Sequence, residues 1–88
     1  MNYQYSNIAL LVNKTEPYGY VACYHVLGAT IDPETDEPRY SIESLDEHGQ
    51  IINTFTLDEF GLEELITKHN YPMYSSKAEA LAIANKSQ

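Results

Sequence analysis

Apolar and polar positions alternate loosely from residue 3 to residue 12. Tyr3, Tyr5, Ala9 and Leu11 fall on one side, and Ile8, Leu10 and Val12 on the other. Apolar content on both sides predicts a strand covered on both faces. Turn residues follow at 13–19, "NKTEPYG". Residues 18–27, "YGYVACYHVL", carry the strongest strand pattern. Tyr18, Tyr20, Ala22, Tyr24 and Val26 share one face, and Val21, Cys23, His25 and Leu27 the other. Gly28 permits a bend before Ala29–Ile31. "RYSIES" is a third strand with Tyr40 and Ile42 inward. "LDEHG" is a turn that uses Gly49, and "QIINTFT" is a fourth strand.

The period then changes. Thr56-Leu57-Asp58-Glu59 reads as a capping box opening a first helix, with Phe60, Leu62, Leu65 and Ile66 as its buried stripe. Pro72 disfavours helix at Tyr71 and ends it. Ser76-Lys77-Ala78-Glu79 is a second capping box, and Ala78, Leu81 and Ala82 give the following helix a small-residue face. Strands before helices predict an α+β domain spanning 1–88: a four-stranded antiparallel, bent meander sheet followed by two short C-terminal helices. The stretch Tyr20–Phe60 resembles an SH3-like small barrel in its spacing: two strands, an acidic loop, two strands, a short acidic turn. A barrel is therefore the alternative architecture.

Charge changes the picture most. The chain carries −8 overall. Between Asp32 and Glu64 lie eleven acids and Arg39, a sum of −10, while the remaining two acids and four lysines sum to +2. Phosphate contacts need clustered Lys and Arg, so direct nucleic-acid binding and docking on anionic membrane are both disfavoured. A basic protein surface is instead attracted. The longest apolar run, Ile8–Val12, is too short to span a bilayer, and the N-terminal stretch lacks the pattern of a signal peptide. Cys23 is the single cysteine and no internal disulfide can form, so a cytoplasmic location is expected.

Candidate chemistry is sparse. Asp32, Glu34, Asp36 and Glu43 fall at positions 1, 3, 5 and 12 of a calcium-loop template. However, Glu37 occupies the position that needs Gly, Arg39 one that is normally apolar, and strands flank the loop instead of helices. A proline-stiffened hairpin loop is the better reading. Cys23 and His25 lie two apart on one strand face, too few for a zinc site and too far apart to act as a nucleophile pair. No phosphate loop or nucleophile elbow occurs. No catalytic residue, metal ligand or cofactor is therefore assigned, and the chain is expected not to be an enzyme.

Two binding surfaces remain. The first is the carboxylate set Asp32, Glu34, Asp36, Glu37, Glu43, Asp46, Glu47, Asp58, Glu59, Glu63 and Glu64, docking on a basic partner such as a nucleic-acid-binding protein. In its sharpest form this is a nucleic-acid mimic and inhibitor of the kind that phages and mobile elements use. The second is a peptide-binding face built from Tyr18, Tyr20, Tyr24 and Tyr40. The edge of an apolar first strand also leaves room for a homodimer.

Overall fold

The centre of the architecture is a thirteen-residue strand, Gly19–Ile31 (β2), paired on both sides. Its antiparallel neighbours are Ile8–Glu16 (β1) and Pro38–Leu45 (β3). Ile51–Asp58 (β4) pairs with β3, and the two-residue strand Met73–Tyr74 (β5) pairs with β1. The sheet order is β4-β3-β2-β1-β5, with two helices, Glu59–Thr67 (α1) and Lys77–Lys86 (α2), after the meander. The chain is thus α+β, with an open antiparallel sheet of four main strands and a short fifth. The computed structural model describes residues 7–17 and 19–86; Tyr3 and Tyr5, read above as part of the first strand, and Tyr18 lie outside them.

Alternation decides which residues meet which helix. Leu10, Tyr24, Val26, Tyr40 and Ile42 are buried on one face with Leu62 of α1, flanked by Phe55, Leu57, Leu65, Ile66 and Tyr71. Ala9, Cys23 and Leu45 are buried on the other face under Ala80 of α2, with Tyr74 and Leu81 beside them. β1 is therefore covered on both faces, and both Ala9 and Leu10 are fully buried. The two sides differ in depth. Large side chains fill the α1 side, while alanines let α2 lie close to the backbone of β1 and β2.

The local predictions need four adjustments. β2 runs unbroken to Ile31, and its irregularity falls at Leu27, between Val26 and Gly28 in the pairing with β3. β4 extends two residues past Thr56, so Asp58 is the N-cap of α1 and its carboxylate accepts the Gly61 N–H at 2.7 Å. Phe60 is 75% exposed and outside the core stripe; two residues apart on a helix, Phe60 and Leu62 point in nearly opposite directions. In α2 the buried pair is Ala80 and Ala84, four apart, instead of Ala78 and Ala82, which are exposed. At the second box only the N-cap half forms: Ser76 Oγ accepts the Glu79 N–H at 3.2 Å, while Glu79 Oε2 accepts from the Ser75 hydroxyl at 2.7 Å and not from the Ser76 N–H.

The β3–β4 turn closes through Asp46, whose carboxylate accepts the N–H groups of His48 and Gln50, both at 2.9 Å. Gly49 sits at φ 81°, and a Cβ there would come within 3.2 Å of Leu81 Cδ1. Only glycine suits both that backbone angle and the approach of α2.

Candidate acidic docking surface

The β2–β3 loop is built by its own acids. Asp32 Oδ1 accepts the Glu34 N–H at 2.9 Å. The Asp36 N–H donates to the Asp32 carbonyl, and the Asp32 N–H to the Glu37 carbonyl, both at 2.8 Å. Asp36 adopts φ 57°, a left-handed conformation that Asp tolerates better than most residues. Asp32 thus serves the turn, as an Asp-Pro start requires. Among the described residues, no three His, Cys, Asp or Glu side chains converge as a metal site.

Register brings this loop to the start of α1. Arg39 stands opposite Asp58 where β3 pairs with β4, so Glu37 and Pro38 meet the first turn of α1. Glu37, Pro38, Asp58, Glu59, Phe60 and Glu63 line an open cleft of about 320 Å3. Asp32, Glu34, Asp36, Glu37, Asp58, Glu59 and Glu63 together give seven negative charges at this end of the sheet, against Arg39 alone. Among the described residues Arg39 forms no ion pair with any of them; its Nη2 donates to Thr56 Oγ1 at 2.9 Å. Among the described residues, Glu37, Glu59 and Glu63 form no ion pair.

The structure does not gather the other four carboxylates with these. Glu64 points away along α1, pairs with Lys68 at 3.3 Å and borders a separate cleft with Tyr24, Phe55 and His69. Glu43 lies mid-sheet, largely buried, with its carboxylate 3.4 Å from His25 Nδ1. Asp46 and Glu47 sit at the far end of β3, roughly 20 Å from Arg39 at the strand's rise per residue. The continuous acidic segment of the sequence is therefore one dense end of seven acids and four dispersed ones.

The tyrosines separate as well. Tyr40 is 0% and Tyr24 7% exposed, both within the α1-side core. The Tyr24 ring meets Phe55 edge-on, with centroids 5.6 Å apart. Tyr20 is half-buried, and its hydroxyl donates to Asn13 Oδ1. A polar group that the pattern reading missed lies beside Tyr24. Glu16 accepts from the Tyr24 hydroxyl at 2.9 Å and from Lys14 at 3.0 Å, and Lys14 stands 5.9 Å from the Tyr71 ring centroid. Three of these four residues sit where the sequence predicts turn or inter-helix loop, so no periodicity flagged them.

Cys23 and His25 share a face, but α2 covers Cys23 completely, and burial pushes its thiol up to about 11. A thiol in that state is neither a ligand nor a nucleophile near neutral pH. The feature that pattern reading placed wrongly is Phe60, which stands exposed among the carboxylates of the cleft. No protein-family model matches this chain, and comparison with curated proteins and with solved structures returns no match either.

Proposed function

We propose that this protein is a non-enzymatic interaction module that docks its loop-and-helix end on a basic protein surface. The observation that carries this reading is the convergence of Glu37, Glu59 and Glu63, none ion-paired among the described residues, around the exposed ring of Phe60. Charge alone is common on small acidic proteins and serves solubility. An aromatic ring standing in water inside the acidic cleft adds an apolar anchor of the type found at interface centres. Arginine suits such a cleft, since its guanidinium can lie on a ring and bond carboxylates. The partner class is therefore a protein with an arginine-rich surface, and a nucleic-acid-binding protein whose site this end occludes is the sharpest form of the proposal.

The test is capture from a lysate of the native host, comparing wild type with the variant E37Q/E59Q/E63Q and with Phe60→Ala. The expected result is a basic protein that wild type retains and releases as salt rises, that nucleic acid competes away, and that both variants lose. Equal retention by wild type and by the triple variant would sink the proposal.

A further inference from the structure

The two edges of the sheet are defended very differently. At the β1 edge, β5 pairs with Ala9 and Leu10, and the Leu11 N–H donates to the Pro72 carbonyl. Beyond that point β1 carries a register shift between Leu11 and Lys14, and then two charges, Lys14 and Glu16. Kinks, lysines and short edge strands are the usual guards against pairing with another chain. The β4 edge is far less guarded over Ile51–Leu57, "IINTFTL": it has no charge and no proline, and its one register irregularity lies at its start, near Ile51. Ile51, Asn53, Thr54 and Thr56 are exposed, and Ile51 retains 57% of its surface. β4 pairs with β3 on one side and with no described strand on the other. Its outward N–H and C=O groups form a template for one more strand.

We infer that β4 pairs antiparallel with β4 of a second copy of this chain, joining the two sheets into one across a two-fold axis near Thr54 and Phe55. Charge placement selects both partner and direction. In a chain of net charge −8, this run is, among the described residues, the longest uncharged stretch of strand facing an open edge. A parallel pairing would set Asp58 beside its own counterpart at strand spacing, about 5 Å. The antiparallel pairing separates the two Asp58 side chains by six to eight residues, roughly 20–26 Å. That exceeds the screening length of about 8–10 Å at ordinary ionic strength. The acidic ends of the two copies therefore lie at opposite corners of the joined sheet. The contact is isologous, so one uncharged run meets itself and no foreign sequence is required.

The inference does not depend on the docking proposal, and the two respond oppositely to salt. Self-association of two acidic chains tightens as salt rises, whereas docking on a basic surface weakens. Sedimentation equilibrium across a dilution series tests it. Wild type is expected to show a mass of twice 10.0 kDa at high concentration, more readily at high salt. Thr54→Lys should weaken association by about tenfold or more, since like charges then face each other across the axis. Thr54 is exposed and stands opposite Glu43, so the lysine gains a carboxylate neighbour within its own sheet, and circular dichroism should show the fold intact. An equimolar mixture of T54K and T54E should associate again. A wild type that stays at 10.0 kDa throughout, a dimer that T54K leaves intact, or a T54K/T54E mixture that stays monomeric while wild type dimerises would each overturn the inference.

Discussion

The Tyr24 hydroxyl donates to Glu16 Oε1 at 2.9 Å, from a ring otherwise enclosed in the core. Lys14 reaches the same oxygen at 3.0 Å. Burial and this bond push the Tyr24 phenol up to about 12. The rim of the α1-side core is thus closed by a hydrogen bond between an aromatic core residue and a charged residue at the end of β1. Removing the hydroxyl with Tyr24→Phe keeps the ring packing and deletes the bond. Glu16 is partly solvated, so the expected loss is about 1 kcal/mol, read as a shift of the urea midpoint.

The same pair gives a pH dependence with a definite sign. The bond from Lys14, followed by that from Tyr24, holds the Glu16 carboxyl below the ordinary glutamate value of 4.5. Its folded-state value is depressed, so the stability it supplies is complete above 4.5 and is lost as pH falls below that value. Glu16→Gln should be less stable than wild type at neutral pH. The difference should shrink steadily as pH is lowered below 4.5, measured by urea unfolding at each pH.

Leu62 and Phe60 separate the inner and outer faces of α1. Leu62 is fully buried and Phe60 is 75% exposed. Leu62→Ala should cost about 3 kcal/mol through lost burial and a cavity. Phe60→Ala should change stability by no more than about 0.5 kcal/mol. Thermal or chemical unfolding of the two variants decides the helix orientation, and equal losses would contradict the fold described above.

The cap of α1 is open to a similar comparison. Asp58→Ala removes the acceptor of the Gly61 N–H and should cost about 1 kcal/mol. Thr56→Ala removes only the exposed bond from Arg39 and should cost less than about 0.5 kcal/mol. A larger effect at Thr56 would move the helix start back to the box that the sequence suggests.

Cys23 supplies a chemical probe of α2. Its thiol is 0% exposed, and burial raises it to about 11. A thiol-reactive dye should label the native protein only as fast as the protein opens, and label it at once in denaturant. Cys23→Ser, which buries a hydroxyl beside Ala9 and Ala80, should cost about 1–3 kcal/mol.

Much of the fold was legible in local pattern because alternation and capping are short-range signals. The alternation in "YGYVACYHVL" and "RYSIES", the box at Ser76 and the switch from period two to helical period all report which backbone state a segment prefers. They led to an antiparallel sheet followed by two helices, which is the architecture found. The boundary at Thr56 was misplaced because two overlapping signals compete there. Thr56-Leu57-Asp58-Glu59 fits a cap by spacing, but pairing of Tyr40 with Leu57 and of Arg39 with Asp58 holds those residues in the strand. Hydrogen bonds to a distant strand outweighed a local preference.

By itself the sequence determined the order of the four main strands and two helices, the acidic balance and the turns at Asp32-Pro33 and 45–49, because each depends on residues within a few positions of one another; it missed β5, a two-residue strand with too short a pattern to read. Only the tertiary structure decided which carboxylates stand together. Glu37 and Glu63 are far apart in the chain but share one cleft, whereas Glu43 and Asp46, three positions apart, lie on a covered strand and at the far turn. The tertiary structure also placed Tyr40 wholly inside and Phe60 outside, and among the described residues it left β4 without a partner strand on its outer side. The physical reason is the same in each case. A strand's period states that a residue has a face, but only the packing of α1 and α2 against opposite sides of the sheet determines whether that face meets a helix, a neighbouring charge or water.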